Sequence, residues 1–483
     1  MTGDSHVVDI APSRQLRNVM DVADSSATQL VTGCPTIIGK VSNKSRDVLP
    51  TAYSPQHVSI GPYHRTWHTN LARDDEKNEY LHAILPAEST VEVCLNELAR
   101  LEDQARRCYS HTVKMNSSQF VRSLLLDGCY LLACFNDNDD DDDGSRSGAP
   151  VANGHVPQAD HHGGDMLEDV AVVSDAFFLA ENQIPFFVID KIHQLTAGGA
   201  PTAIPVVRYA QKLLEGRKYS VAKPAVGGAS GPANLLHLLH MHLTPTVLIL
   251  PPTGGPDTDK PVGRWRQATQ YNDIAGIKFK RRPLSADGAR CILDVKLDSG
   301  AGTLEIPMLH IEAETWRFLR NLMALEHHNP EAAGKHVTAY CILMSQVACT
   351  EADVELLSRK GVIEHSLGSH KDAAVFFADL CKGIMFDPNG PGSNYLRATN
   401  QELEKRFQSR QQRWMAWLVR NYFSNPWVTV GLMLGAIGLA CEVVQAVFSV
   451  LSYGNHLPLL IEDRVIGDNN GLQADLRTIY VRP

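Results

Sequence analysis

Apolar residues recur at helical spacing through most of this chain. Between Val91 and Tyr109 they fall every three or four positions with charges between them, which predicts an amphipathic helix. Residues 120–135 and 174–195 are largely apolar and predict buried helices, and helical patterns also dominate from Glu312 onwards. The sequence contains no repeat of fixed period and no alternating series of strands and helices. The chain is therefore predicted to be mainly α, with one large helical lobe.

One short segment departs from the helical period. Residues 291–297 and 303–311 alternate apolar and polar positions around the turn sequence DSGAG at 298–302. Such alternation on both sides of a glycine-containing turn is typical of two strands that pair as a hairpin. The lobe is therefore predicted to carry a small antiparallel β-hairpin insert.

A long apolar run near the C-terminus predicts a transmembrane helix. Residues 427–453 carry no charge as far as Cys441 and only one charge, Glu442, over the whole run. About 20 apolar residues are enough for a helix to cross a bilayer. Trp427 and Tyr453 lie at the two ends, where aromatic residues meet the membrane surface. A buried core helix is the alternative, but the length of the run favours a single membrane span.

Small and polar residues fall on one stripe of this predicted helix. Their spacings alternate between four and three, which places them on a single helical face. The members are Gly431, Gly435, Gly438, Glu442, Gln445, Ser449 and Ser452. Small residues let two membrane helices approach closely, so we expect this stripe to pair with a second helix of the same or another protein. A lone anchor with ordinary membrane composition is the alternative.

Charge and the N-terminal sequence bear on location. The formal net charge is -9, and no basic stripe indicates a nucleic-acid partner. The first 20 residues lack the apolar core of a signal peptide, so the late span is expected to direct membrane insertion. Basic residues such as Arg413 and Arg420 precede the span closely, whereas those after it are more distant. This bias predicts that the N-terminal lobe faces the cytosol.

Composition divides the rest of the chain. Residues 1–45 are polar without sustained periodicity and are predicted to be a disordered leader, and 46–421 form the predicted helical domain. Within that domain, the aspartate-rich stretch 136–170 and the Gly-, Ala- and Pro-rich stretch 196–232 are predicted to be disordered or variable loops. Residues 454–483 are expected to form a short C-terminal tail.

Two polar groups interrupt apolar segments. Asp127, followed by Gly128, is expected to break the helix predicted over 120–135. As a lone buried carboxylate it is interpreted as a helix cap or salt-bridge member in preference to a catalyst. The triplet Glu181, Asn182 and Gln183 lies in a very apolar neighbourhood and must be hydrogen-bonded, most simply to loop backbone. These four residues are interpreted as a structural motif.

The sequence supplies no recognisable set of catalytic, cofactor-binding or metal-binding residues. Residues 33–40 have five residues between the glycines of a phosphate-loop-like segment instead of four, and Val41 follows where Ser or Thr is needed. His237, His240 and His242 are close in sequence but have no nearby acid, and we interpret them as surface or core histidines. We therefore predict no catalytic, cofactor or metal site.

An ordered set of short motifs resembles a known plant family, labelled domain of unknown function 247 (DUF247) and also UPF0481. The motifs are VSIGPYH (58–64), EKNEYL (76–81), LLLDGCYLL (124–132), ENQIPFFV (181–188), AGIKFK (275–280), LEIPMLHI (304–311), FLRNLMALE (318–326), DVELLSRKGVI (353–363) and YFSNPW (422–427). They occur in family order and are followed by the terminal membrane span.

The resemblance implies a membrane-associated protein of land plants with no established enzymatic reaction. In grasses, members of this family are associated with gametophytic self-incompatibility, as pollen-side determinants that act with small secreted stigma proteins. The resemblance therefore implies a protein partner, either a small secreted protein or an intracellular signalling component. We expect the protein to be a single-pass protein of the plasma membrane.

Two classes of function compete at this point. The first is a membrane-anchored recognition or signalling protein, whose variable loops choose a protein partner and whose span pairs laterally. The second is an uncharacterised enzyme that uses buried polar residues such as Asp127, Glu181 and His64, or an intracellular scaffold at a membrane. Exchanging the loops tests the first, and loss of a turnover on neutralising those carboxylates tests the second. The sequence favours recognition.

Overall fold

The structure is a computed structural model of the whole chain, and it describes residues 37–65, 69–135, 166–198, 203–223, 231–249, 262–389, 394–418 and 426–462. The chain divides into two compact units, residues 1–409 and 410–483. Most of the predicted leader, the aspartate-rich stretch up to 165 and the tail from 463 lie outside the described residues.

Helices make up most of the first unit, as the sequence pattern predicts. Its N-terminal half contains α1 (Asn43–Val48), α2 (Pro62–Arg65), α3 (Asp74–Ile84), α4 (Glu88–Arg100), α5 (Glu102–Arg107), α6 (Ser117–Cys134), α7 (Met166–Phe178), α8 (Phe186–Thr196), α9 (Ile204–Gly216), α10 (Leu235–His242) and α11 (Thr246–Ile249). Two 3₁₀ turns cover Pro50–Tyr53 and Thr69–Ala72.

The C-terminal half of the first unit combines helices with short strands. These are α12 (Ala268–Ala275), β1 (Lys278–Arg282), β2 (Lys296–Asp298), β3 (Thr303–Pro307), β4 (Leu309–Ile311), α13 (Thr315–His328), α14 (His336–Val347), α15 (Glu351–Arg359), β5 (Ile363–His365), α16 (His370–Leu380) and α17 (Arg397–Gln408). The second unit contains α18 (Arg410–Leu418) and α19 (Pro426–Glu462).

Capping residues determine where several of these helices begin. Asn116 Oδ1 accepts a 2.8 Å hydrogen bond from Gln119 N at the start of α6. Asn234 does the same for α10, and Thr350 forms a reciprocal capping box at the start of α15. Each cap satisfies a backbone N–H group that has no partner inside its own helix. The helix α10 that Asn234 caps carries three histidines.

Helix α6 is largely buried and packs against α3, α4 and α8. It runs without interruption through Asp127 and Gly128, so the predicted break is wrong. A Cβ atom at Gly128 would lie 2.3 Å from Ile192 Cδ1 of α8. The glycine therefore permits a close helix–helix approach, and the cost of a glycine within a helix is offset by that packing.

The β structure is small but more varied than one hairpin. Strands β2 and β3 pair antiparallel, with Leu297 opposite Leu304, as the predicted hairpin requires, but the first strand is limited to residues 296–298 and the second ends at 307. Strand β1 adds to the other edge of β3 in parallel, so the sheet order is β1-β3-β2. A second, parallel pair joins β4 to β5, with Leu309 opposite Ile363. The sequence pattern does not indicate either parallel pair.

Ordered structure also reaches into segments that composition places outside the core. Ile38 N donates to Cys108 O over 2.7 Å, which ties the end of the predicted leader to the lobe. Within the predicted loop 196–232, α9 buries Val206, Ala210 and Leu214. These apolar positions are four residues apart, but the glycines, alanines and prolines around them obscure the helical pattern.

Candidate functional site

Asp127 lies at the centre of a buried charge cluster. Its Oδ1 accepts a 2.6 Å hydrogen bond from Lys77 Nζ and lies 3.3 Å from Arg65 Nη1, and its Oδ2 accepts from Gly61 N over 2.8 Å. Lys77 also donates to Ser59 O, and both it and Asp127 are fully buried. Burial lowers the pKa of Lys77, and the Asp127 carboxylate opposes that shift. Asp127 is therefore a salt-bridge member that joins α3 and α6 to the segment before α2.

Glu181 joins the start of the described chain to the middle of the lobe. One carboxylate oxygen accepts 2.5 Å hydrogen bonds from Val41 N and from the Arg46 guanidinium, and the other lies 3.4 Å from His64 Nε2. Burial raises the pKa of Glu181, but His64, Arg46 and the Val41 N–H outweigh it and leave that pKa below its usual value. Glu181 is thus held as a carboxylate among three donors.

Asn182 and Gln183 bond to backbone groups, both of nearby residues and of segments that are distant in sequence. Asn182 Oδ1 accepts from Ile60 N over 2.8 Å, and its amide donates to Val58 O over 3.0 Å. Gln183 Oε1 accepts from Leu235 N over 3.0 Å at the start of α10, and its amide donates to carbonyls at the end of α7. The four predicted motif residues are thus near one another, and each is engaged in bonds that hold the lobe together.

Two buried arginines on α13 perform a similar task and are not singled out by the sequence pattern. Arg317 Nη2 lies 2.8 Å from Asp175 Oδ1, while Asp175 Oδ2 accepts from three consecutive backbone N–H groups at 56–58. Arg320 donates to the Tyr53 hydroxyl and to carbonyls at 379, 380 and 382. The sequence could have indicated them in one way. A charged residue on the apolar face of a predicted helix must have a buried partner of opposite charge or a hydrogen-bond acceptor.

The three histidines of α10 are core residues, with His240 and His242 only 2% exposed. His240 Nε2 lies 3.0 Å from Glu326 Oε1, and His336 Nδ1 lies 3.9 Å from that same oxygen. The acid that the sequence pattern lacks is thus supplied by α13, 86 residues further along the chain. Neither Glu326 nor His336 is singled out by the sequence pattern.

A cavity of about 300 Å³ opens beside this cluster and is lined by His237, His240, His336 and Tyr395, among others. Burial lowers the pKa of His237 and of His240 to about 4, and it lowers the pKa of His336 to about 3. All three rings are therefore neutral at physiological pH. Neutral imidazole is the form that binds a metal ion or accepts a proton.

A larger cavity of about 610 Å³ lies beside residues 263–270. Arg266 forms a two-point salt bridge with Glu404, at 3.0 and 2.7 Å, and its guanidinium lies over the Phe407 ring. The lining adds Trp265 and several glutamines. Hydrogen-bonding side chains beside aromatic residues are the chemistry of a binding surface.

The predicted stripe residues lie on one continuous helix, α19. Its segment Thr429–Ser452 has 24 residues and a mean hydropathy of 1.9, and none of its most apolar stretch is buried. A Cβ atom added to Gly431, Gly435 or Gly438 would meet no atom within 4 Å. The helix is therefore long and apolar enough to cross a membrane, and its glycine positions are open.

Comparison with known proteins gives one family. The DUF247 model, described as a plant protein of unknown function, matches residues 38–441. The chain is 22% identical over 437 residues to UPF0481 protein At3g47200 of Arabidopsis thaliana, and the alignment covers 84% of each protein. It is also 29% identical over 178 residues to Putative UPF0481 protein At3g02645 of Arabidopsis thaliana. That alignment covers 37% of this chain and 31% of the relative. No solved structure matches the chain. The chain therefore belongs to the DUF247 family of plant proteins, whose function is unknown.

Proposed function

We propose that this protein is a membrane-anchored recognition or signalling protein of plant cells that acts by binding another protein. One observation carries the proposal: the apolar helix Thr429–Ser452 has no buried residue in its most apolar stretch. Exposed apolar surface costs about 25 cal/mol per Å² in water, and insertion into a bilayer removes that cost. A single membrane span is the simplest environment in which this helix is stable.

The residues before the helix support an orientation with the lobe in the cytosol. Arg410 and Arg413 lie on α18, together with Trp414 and Trp417, which are 61% and 50% exposed. Basic residues favour the cytosolic side of a span, and tryptophan favours the membrane surface. The proposed location is the plasma membrane, with the first unit on its cytosolic side.

Recognition of a protein partner is assigned to surfaces of the first unit. The cavity beside Arg266 offers hydrogen-bonding groups, and the aspartate-rich sequence of residues 136–165 offers negative charge. The proposed partner is a small secreted protein or an intracellular signalling component. Action as a pollen-side determinant of self-incompatibility is the narrowest form of the proposal, and it is supported only by the resemblance to grass members of the family.

Anchoring is tested with the full-length protein, tagged at both ends, in sealed microsomes from plant cells. The protein is expected to resist carbonate extraction, with its N-terminal tag digested by added protease and its C-terminal tag protected. Leu434→Arg combined with Ile437→Arg places two charges at the helix centre, each costing about 2.5–3.5 kcal/mol, and should release the protein. The matched control is alanine at both positions. Recovery of the unaltered protein in the soluble fraction would refute the anchor.

Partner binding is tested by proximity labelling from the N-terminal tag, followed by exchange of residues 136–165 with those of a relative. A changed set of labelled proteins supports recognition by this region. An unchanged set, with the exchanged protein still in the membrane, would contradict that assignment. Reversal of the tag protection would instead move the lobe outside the cytosol and make an extracellular ligand the partner.

A further inference from the structure

Three buried side chains from three helices converge beside the smaller cavity. They are His240 on α10, Glu326 on α13 and His336 at the start of α14, and one ligand atom from each lies within 4.8 Å of the others. Glu326 Oε1 is 3.0 Å from His240 Nε2 and 3.9 Å from His336 Nδ1. Tetrahedral zinc, with bonds of about 2.0–2.2 Å, separates its ligand atoms by about 3.4 Å. The two observed distances lie on either side of that value.

Glu326 has no lysine or arginine partner within 4 Å in the part of the chain that the structure describes. Its side chain is fully buried, and the two histidines beside it are neutral rings. Val337 N and Thr338 N donate to the carboxylate over 2.8 Å, and the Thr338 hydroxyl donates over 2.6 Å. These bonds orient the group, as outer partners of metal ligands commonly do. They do not supply a formal positive charge, which a bound cation would supply.

The histidines have nitrogen atoms available for a metal. His336 is 6% exposed; its Nδ1 lies 3.9 Å from Glu326 Oε1, and its Nε2 is buried with no hydrogen-bond partner among the residues described. A buried polar atom left without a partner costs about 1–3 kcal/mol, so the ring has bonding capacity that the described residues do not use. The ring centres of His240 and His336 are 4.4 Å apart, close enough to serve one ion.

The cavity leaves room for a further ligand. His237 lies one helical turn before His240, with ring centres 6.1 Å apart, and lines the space of about 300 Å³. A metal held by three protein ligands at the wall of such a space keeps a position for water or for a small donor molecule. Two imidazoles and one carboxylate suit zinc and its transition-metal neighbours better than calcium or magnesium, which prefer oxygen ligands.

We propose that His240, Glu326 and His336 bind one divalent transition-metal ion of the zinc class, with an exchangeable position facing the cavity. On binding, His240 Nε2 exchanges its contact with Glu326 for a bond to the metal, and the ring proton resides on Nδ1. If the Glu326 carboxyl group carries a proton, that proton leaves to solvent. The carboxylate then binds through Oε1 while Oε2 keeps its bonds to Thr338.

The test uses the full-length protein in detergent, freed of metal with a chelator and titrated with cobalt(II) alone. One equivalent should bind and give the visible absorption bands of a low-symmetry cobalt site, and one equivalent of zinc should abolish them. His336→Gln and, separately, His240→Gln should weaken cobalt binding at least tenfold. Zinc should also raise the melting temperature of the unaltered protein but not that of either variant.

His242→Gln is the matched control. His242 lies on α10, is as buried as His240, and, like His336, has an Nε2 atom without a hydrogen-bond partner in the described structure. It should leave cobalt affinity unchanged. Circular dichroism identifies any variant that has not folded, and two independent ligand variants keep the test decisive. Absence of stoichiometric binding to the unaltered protein would overturn the proposal. Equal binding by folded His336→Gln and His240→Gln would overturn it as well.

Discussion

Lys77 Nζ donates a 2.6 Å hydrogen bond to Asp127 Oδ1, and neither side chain is exposed to solvent. Arg65 also faces Asp127, so removing the carboxylate leaves two cations without it. Asp127→Asn should therefore lower the free energy of unfolding by about 3–5 kcal/mol. Lys77→Met should cost less, because Asp127 keeps Arg65 and the Gly61 N–H as partners.

Urea denaturation of the full-length protein in detergent measures whether Asp127→Asn loses more free energy of unfolding than Lys77→Met. The control is Glu305→Gln, which removes an exposed contact of 3.0 Å with Lys280 and should cost less than about 1 kcal/mol. A larger loss for Lys77→Met than for Asp127→Asn would show that Arg65 does not stabilise the carboxylate.

Gly128→Ala should destabilise the contact between α6 and α8. The added Cβ would lie 2.3 Å from Ile192 Cδ1, and overpacking of this kind costs about 1–3 kcal/mol. Ile192→Val removes the opposing atom, so the double variant should recover part of the loss. Gly216→Ala in α9 is the control, since nothing lies within 4 Å of its Cβ position. Thermal unfolding compares the parent, the two single variants, the double variant and the control, and additive losses in the double variant would rule out the clash.

Asp190 gives a prediction that depends on pH. Burial raises its pKa to about 6, against the 2.5 Å hydrogen bond from Ala203 N. The folded protein thus binds a proton that the unfolded chain lacks between about pH 4 and 6, and the ionised group destabilises the fold above pH 6. Asp190→Asn, which keeps an acceptor for Ala203 N, should stabilise the protein at pH 7.5. Allowing for partial exposure, the gain should be about 1 kcal/mol.

Unfolding midpoints of the parent and Asp190→Asn, measured from pH 7.5 down to pH 4, provide the check. The difference should shrink as pH falls through 6 and vanish near pH 4. A difference that stays constant with pH would mean that Asp190 is not the titrating group.

Pairing through the glycine stripe of α19 is a separate prediction. Gly435→Leu fills an open position on the stripe and should weaken self-association of the full-length protein by at least severalfold. Leu434→Ala, on the neighbouring face, should have little effect. Energy transfer between two fluorescently labelled copies in vesicles measures the association. Equal transfer by Gly435→Leu and the unaltered protein would exclude this face as the pairing surface.

Local patterns in the sequence predict local structure well. The helical period indicates a mainly α lobe, and an apolar run with one charge indicates the exposed helix α19. The alternation around residues 298–302 indicates the β2–β3 pairing. In each case the decisive interactions join residues a few positions apart, so their signal is contained in a short window.

Contacts between distant segments are not predictable in this way. The parallel pairing of β1 with β3 leaves no alternating pattern that identifies the partner strand. Glu326 resembles an ordinary helical residue in the sequence, because its partners His240 and His336 lie on other helices. The predicted break at Asp127 is wrong. Gly128 lies within the helix because the side chain of Ile192 occupies the space where a Cβ would be, and this contact leaves no signal in the sequence. Tertiary packing overrides local helix propensity when it contributes more free energy than the propensity does.

The bond between Ile37 N and Asn329 Oδ1 spans 292 residues, and that between Asn321 and Ala52 O spans 269. Contacts of such long range raise the contact order of a protein and slow its folding. During synthesis, the first segments of the lobe cannot form these hydrogen bonds until α13 has left the ribosome. The apolar helix α19 follows only shortly afterwards. Under the proposed membrane anchoring, completion of the fold and delivery to a membrane compete in time, and a chaperone that holds the nascent lobe would influence both.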